Sequence, residues 1–335
     1  MNRLLRYVFV LFALVSVVWG QSLNGAGATF PYPIYSKWFS EYAKSHQGVQ
    51  INYQSIGSGG GIRQVLAGTV DFGASDGPMS DEQLKQAKIP IFHIPTVLGA
   101  VVIAYNAPGV QGDLKFSPDT VANICLGKIT AWNDPAIAKD NPGAKLSGAP
   151  IVLVHRSDGS GTNYIFTDYL SKISGEWKDR VGKGTSVKWP IGLGAKGNEG
   201  VAGMIRQMDG AFGYVELIYA IQNKMPFASL KNSSGEFIKA SLESTTAAAA
   251  SVKNMPSDFR VSITNAPGKD AYPIASFTWL LVPSRFQDAT KGKALVDFLN
   301  WMLDQGEPMA SQLDYPPLPD NVKEKVRAKI KEIKF

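Results

Sequence analysis

The sequence predicts an α/β chain folded as two domains between which the backbone crosses twice. Three observations carry that expectation. The chain has 335 residues, enough for two domains that each bury a core. Short apolar runs that read as strands recur ahead of Gly/Ser-rich loops, and each loop opens a helix with apolar residues at three- and four-residue steps. Residues 94–105 form an apolar run too long for one ordinary strand, so they can carry the chain out of its first domain. Residues 272–282 have the same character and can return it.

The chain opens on Arg3 and Arg6, followed by an apolar stretch over residues 7–18, the pattern of a secretory signal peptide cut after Gly20. That stretch is short for a membrane span, and no later segment approaches one. Next comes Gly25-Ala26-Gly27-Ala28-Thr29-Phe30, then a helical face of Tyr35, Trp38, Phe39 and Tyr42. Pro31 or Pro33 suits its first turn, and Thr29 stands where a cap or a ligand donor would stand. No closing glycine completes a dinucleotide fingerprint. Residues 49–53 alternate like a strand and run into the loop Ile56-Gly57-Ser58-Gly59-Gly60-Gly61, with Ile62, Val65 and Leu66 on the helix beyond. Residues 70–75 read as a short strand ending on Asp76, with a helix capped near Ser80. A further Gly-rich stretch, residues 187–200, leads into a helix over 201–208 and lines a cleft. Trp132 and Trp189 are expected in the core, and Val322, Val326, Ile330 and Ile333 stripe the last helix beneath a Lys-rich solvent face.

Between the strand expected at residues 151–154 and the helix after Tyr164 lies His155-Arg156-Ser157-Asp158-Gly159-Ser160-Gly161-Thr162. At such a junction the first helical N–H groups have no intrahelical partner and carry the positive end of the dipole, so they suit a small oxyanion. Ser160 and Thr162 add hydroxyl donors. Gly159 and Gly161 admit a close backbone approach, and Arg156 offers a planar donor fork that Asp158 is placed to hold. Taken alone, a Ser/Gly turn is common and a Ser at a helix start is usually a cap. The loop is neither a nucleotide P-loop, lacking Gly-Lys-Ser/Thr, nor a Gly-x-Ser-x-Gly nucleophile elbow.

Composition is that of an ordinary soluble protein, with 44% hydrophobic and 19% charged residues. The net charge of +6, two units of which sit on Arg3 and Arg6, is too mild and too evenly spread for a nucleic-acid partner. The single cysteine, Cys125, reads as a buried small hydrophobe. It allows no internal disulfide, and no lipid-attachment cysteine follows the leader. His46, His93 and His155 have no metal-ligand spacing, and no cofactor or metal is expected.

Taken together, these blocks resemble the periplasmic phosphate-binding proteins of high-affinity phosphate ABC transporters, the PstS family, over essentially the whole chain after the leader. The likeness rests on Gly25-Ala26-Gly27-Ala28-Thr29-Phe30-Pro31, Ile56-Gly57-Ser58-Gly59-Gly60-Gly61, Val70-Asp71-Phe72-Gly73-Ala74-Ser75-Asp76, Arg156-Ser157-Asp158-Gly159-Ser160-Gly161-Thr162 and Lys188-Trp189-Pro190-Ile191-Gly192, in that order and spacing. The resemblance implies a type II periplasmic binding protein fold: two mixed-sheet α/β lobes, residues 21–105 with 273–335 as lobe I and 106–272 as lobe II, joined by a two-segment hinge. It implies phosphate contacts at Thr29, Phe30, Ser58, Asp76, Arg156, Ser160, Gly161 and Thr162, with Asp158 supporting Arg156 from behind. It also implies a monomer that meets the membrane only through ABC permease and ATPase subunits. Gly59 stands where many members carry a second serine, and His155 where an arginine is often found; neither is a ligand position in the family pattern. A secreted phosphatase is the rival expectation from another class, and it would need a nucleophile with a base or a metal cluster that the sequence does not offer. Extracellular phosphate scavenging or adhesion on the same fold is a third.

Overall fold

The computed structural model describes residues 21–335, and the expected leader lies outside the described residues. The first region runs β1 (Gln21–Gly27), α1 (Tyr32–Ser45), β2 (Val49–Ser55), α2 (Ser58–Ala67), β3 (Phe72–Ser75), α3 (Asp81–Lys85) and β4 (Ile91–Asn106). A second follows with β5 (Lys115–Phe116), α4 (Pro118–Cys125), α5 (Pro135–Asp140), β6 (Val152–Arg156), α6 (Gly161–Ile173), α7 (Gly175–Arg180), β7 (Leu193–Ala195), α8 (Gly197–Gln207), β8 (Ala211–Glu216) and α9 (Leu217–Gln222). It continues through β9 (Ser229–Lys231), β10 (Phe237–Ile238) and α10 (Leu242–Ala249). The chain then returns through β11 (Ala275–Pro283), α11 (Ala289–Trp301), α12 (Glu307–Ala310) and α13 (Asp320–Ile330). Among the described residues no helix is long and apolar enough to cross a membrane.

Local chemistry accounts for the helix starts. Pro33 enters α1 in its first turn, where a missing N–H costs nothing, and Tyr35, Trp38, Phe39 and Tyr42 form the buried face. Ser80 and Gln83 close a capping box at α3. The Asp134, Ser160 and Asp288 side chains cap α5, α6 and α11. Thr29 is not a cap: Pro31 occupies that position without a side-chain bond. The Gly59-Gly60-Gly61 run, expected as loop, forms the first turn of α2. Close packing accounts for glycine at 61: a Cβ there would come within 2.6 Å of the Ala26 carbonyl and the Gly27 Cα. Trp189 is only half-buried, and Ile333 is buried beyond the end of α13.

One strand organises the molecule. β4 is 16 residues long and buried over almost its whole length. Its first part, from Ile91 to Ala100, pairs antiparallel with β11, and its last part, from Val101 to Asn106, pairs antiparallel with β8. The main sheet accordingly reads β2-β1-β3-β11-β4-β8-β6-β7, two mixed halves meeting at β4. β1 runs parallel to β2 and β3, and β6 runs parallel to β7 and β8. A buried apolar cluster continuous across both halves includes Trp38, Phe72, Leu98, Val102, Phe212 and Phe277, with Trp132 and Cys125 in the second half. This is a two-lobed α/β fold in which the ends of β3 and β6 and the starts of α1, α2 and α6 face one cleft.

Candidate functional site

Glycine sets how closely the two sides of the cleft approach. Gly57 precedes α2 with φ at 86°, a conformation that a β-carbon disfavours. The Gly59 N–H then donates across the cleft to the Gly159 carbonyl at 2.8 Å. A Cβ on Gly161, the first residue of α6, would overlap Ser58 Oγ and the Asp76 carboxylate. The starts of α2 and α6, helices of 10 and 13 residues, therefore converge with their positive dipole ends; the Gly59, Gly60 and Gly61 N–H groups are already spent on the Gly159 and Gly57 carbonyls, which leaves those of Ser58, Gly161 and Thr162.

On the β6 side, Arg156 is 4% exposed. Its Nε and Nη2 donate to the two carboxylate oxygens of Asp158 at 2.8 and 2.6 Å. This bidentate pair leaves Nη1 facing the Thr162 hydroxyl at 3.4 Å. Burial works to raise the Asp158 pKa, but the hydrogen bonds and charge of Arg156 outweigh it and hold the carboxyl below its ordinary value. The Ser160 hydroxyl accepts from the Asn163 N–H, and the Ser160 N–H is spent on the Thr185 carbonyl. Trp189 braces this wall. It stacks on His155 and donates to Asn163 Oδ1 at 3.1 Å.

Facing these donors, β3 delivers Asp76, which is 1% exposed. The Asp76 N–H donates to Ser58 Oγ at 3.2 Å, and the Ser58 hydroxyl in turn donates to Asp76 Oδ2 at 3.4 Å. Thr278 of β11 donates to Oδ1 at 2.7 Å. A β-bulge aims it there. The register of β11 against β4 slips between Thr278 and Trp279, leaving Thr96 as the extra residue of β4 with its hydroxyl on the Thr278 carbonyl. Burial raises the Asp76 pKa to about 7, against the lowering influence of Thr278, Arg156 and Ser58.

The first loop closes the chamber. Thr29 and Phe30 are buried, and their carbonyls accept from the Tyr219 and Tyr315 hydroxyls, each at 2.6 Å. Asn198 in the first turn of α8 donates from Nδ2 to Thr29 Oγ1 at 2.9 Å and to Thr162 Oγ1 at 3.0 Å. Glu216 lies behind, its Oε2 accepting from the Ile218 N–H at 2.9 Å, and burial drives its pKa well up.

Thr29, Phe30, Ser58, Asp76, Arg156, Ser160, Gly161 and Thr162 are all buried where the loops opening α1, α2 and α6 meet, with Asp158 behind Arg156. Sequence reasoning missed Asn198 and Thr278. Asn198 lies in the Gly-rich stretch expected to line the cleft, but nothing local distinguishes it from a turn residue. Thr278 lies in the returning strand, 202 positions from the carboxylate it contacts. The arrangement can hold a small tetrahedral oxyanion, with donors from the three loops that open α1, α2 and α6 and a single carboxylate as acceptor.

Comparison with known proteins agrees in extent. A family model described as PBP superfamily domain matches residues 20–305. The phosphate-binding protein PstS of Pasteurella multocida is 47% identical over 330 residues, covering 98% of this chain and 94% of the relative. That of Haemophilus influenzae is 46% identical over 312 residues, covering 92% of each. Among solved structures, a phosphate-binding protein from Stenotrophomonas maltophilia superposes with a TM-score of 0.66 at 20% identity, over 92% of this chain and 93% of that one, a likeness of fold.

Proposed function

The chain belongs to the PstS family of phosphate-binding proteins, and from that premise we propose that it captures one inorganic phosphate in the cleft and hands it to the membrane permease of an ABC importer. The observation that supports the ligand most directly is the convergence of many donors on a single buried carboxylate where the loops opening α1, α2 and α6 meet. The Ser58, Gly161 and Thr162 N–H groups, the Thr29, Ser160 and Thr162 hydroxyls and the Arg156 guanidinium are donors to phosphate oxygens, joined by the Ser58 hydroxyl as it turns from Asp76 to the ligand, with Phe30 completing the first loop. Asp76 alone accepts, and it takes the proton that a hydrogen phosphate still carries. Asp158 keeps Arg156 oriented. Residues 21–105 with 273–335 act as one lobe and 106–272 as the other, and they close on the ligand about the crossing segments near Ala100 and Tyr272. Export to the periplasm follows from the leader, and the working form is a monomer that meets permease and ATPase subunits.

Binding without turnover is the reading favoured for the buried hydroxyls. His155 Nδ1 lies against the Arg156 carbonyl with its ring stacked on Trp189, and His93 Nε2 accepts from the Met79 N–H, so neither imidazole serves a cleft hydroxyl as base. Isothermal calorimetry with phosphate, paired with a turnover assay on phosphate esters, tests the proposal. One-to-one binding without hydrolysis is expected. Absence of heat or a stoichiometry of two contradicts it, and hydrolysis above background reinstates the phosphatase. Phosphate uptake by cells that needs this protein but no permease would favour scavenging.

A further inference from the structure

Asn198 is fully buried, and its amide can be oriented without ambiguity. The Glu216 N–H, which can only donate, lies 3.0 Å from Oδ1. The carbonyl oxygen must face it, so the NH2 group faces the two threonines. An amide NH2 has two protons and no acceptor. One goes to Thr29 Oγ1 at 2.9 Å, from the β1 side of the cleft, and the other to Thr162 Oγ1 at 3.0 Å, from α6. Thr162 Oγ1 also receives Arg156 Nη1 at 3.4 Å, and Thr29 Oγ1 the Asn198 N–H at 3.4 Å. Both hydroxyl oxygens are thus occupied as acceptors, and neither hydroxyl donates to a protein atom among the described residues. Their protons are therefore free for a ligand.

We infer that Asn198 is a positioning residue that fixes the hydroxyls of Thr29 and Thr162 as donors to the bound anion. The inference rests on the phosphate reading above. A hydroxyl left to itself rotates and presents either a lone pair or a proton, which admits ligands carrying donors of their own. With its lone pairs taken, it presents only the proton and selects an oxyanion rich in acceptors. One amide polarises a hydroxyl on each side of the cleft, so the donor set is complete only when the lobes are closed.

The test is a double-mutant cycle read by phosphate calorimetry. Asn198→Asp keeps the shape and the acceptor for the Glu216 N–H but offers the threonines a second acceptor, turning their protons away from the ligand. In the parent, Thr162→Val is expected to weaken phosphate by roughly 10- to 150-fold, the range for a hydrogen bond to a charged group. In the Asn198→Asp background the same change should cost less than about threefold, because that hydroxyl no longer donates. Plain charge repulsion from the new carboxylate would weaken phosphate in both backgrounds and leave the cost of Thr162→Val unchanged, and that result overturns the inference. So does a parent that binds phosphate and is indifferent to Thr162→Val. A parent that does not bind phosphate overturns the functional reading itself. Should Asn198→Asp fail to fold by circular dichroism, Asn198→Ala replaces it. It should weaken phosphate about tenfold in the parent and under about threefold once Thr29→Val and Thr162→Val are present, whereas equal losses overturn the inference.

Discussion

If phosphate occupies the cleft as proposed, Asp76 would carry the site's choice between anions, and its protonation would set when that choice operates. Burial lifts its pKa to about 7, so in the closed cleft it is protonated below that pH and ionised above it, whereas an open, hydrated carboxyl stays ionised down to about 4. The sign follows. A raised carboxyl pKa favours the closed state most strongly below the ordinary carboxylate range, and that contribution is lost as pH rises through about 7. Once protonated, Asp76 becomes a donor and sulfate loses its opponent. Sulfate should compete with phosphate at least about tenfold better at pH 5.5 than at pH 8.5, because its binding then takes up a proton that a hydrated carboxyl lacks. Asp76→Asn should flatten that dependence, and competition that does not change with pH in the parent removes Asp76 from this role. Arg156 and Asp158 separate differently. Deleting Arg156 removes donors from the ligand, while Asp158→Asn keeps them and loses only part of their alignment. Arg156→Ala should weaken phosphate by at least about 100-fold and Asp158→Asn by about tenfold. Equal losses in calorimetry, with both variants folded, would contradict the division.

Among the elements, α2 and α6 show how a helix start serves both packing and binding. Gly61 and Gly161 each occupy the first turn of their helix, but a β-carbon meets different neighbours at the two positions. At Gly61 the obstruction is the backbone of β1 and of Ala74, within the same half of the sheet. At Gly161 it is Ser58 and Asp76, on the opposite side of the cleft. Gly61→Ala should therefore destabilise the fold by about 1–3 kcal/mol or more, seen as a lower melting temperature. Gly161→Ala should leave melting of the phosphate-free protein nearly unchanged and weaken phosphate by at least about 100-fold, because only closure is obstructed. A large loss of stability in Gly161→Ala would mean that the two sides of the cleft fold as one block. The bulge at Thr278 belongs to the same scale: one extra residue in β4, next to a proline that cannot complete the ladder, aims a hydroxyl at a carboxylate.

For the whole molecule, the two halves share β4 and meet again across the cleft through Gly59 and Gly159, Asn198 and Thr29, and Arg260 with Asp81 at 2.7 Å. A ligand enclosed between them binds the folded chain and not the unfolded one, so it must stabilise it. Phosphate at a thousand times its dissociation constant should contribute about 4 kcal/mol, a rise in melting temperature of the order of 5–10 °C by scanning calorimetry. Arg156→Ala at the same phosphate concentration should show no more than about a third of that rise. An equal rise in parent and variant would place the stabilising anion elsewhere on the surface.

What the sequence determined by itself was whatever depends on neighbours along the chain. The apolar steps of α1, the Ser80 and Ser160 caps, the strand ending on Asp76, the loop around Arg156 and the over-long run that became β4 all follow from periodicity, turn chemistry and side-chain inventory within about a dozen residues. Tertiary structure decided the rest, because the deciding partner in each case lies far away in the chain. Position 61 must be glycine because the Ala26–Gly27 backbone, far away in the chain, leaves no room for a β-carbon there. Trp189 stays half-buried as a brace because it packs on His155. Asn198 and Thr278 enter the site from 36 and 202 residues away, on Thr162 and Asp76, and the pKa of Asp76 is set by how completely the closed lobes exclude water. No local pattern encodes desolvation or the direction of a hydroxyl proton; both arise when separate loops converge on one small volume.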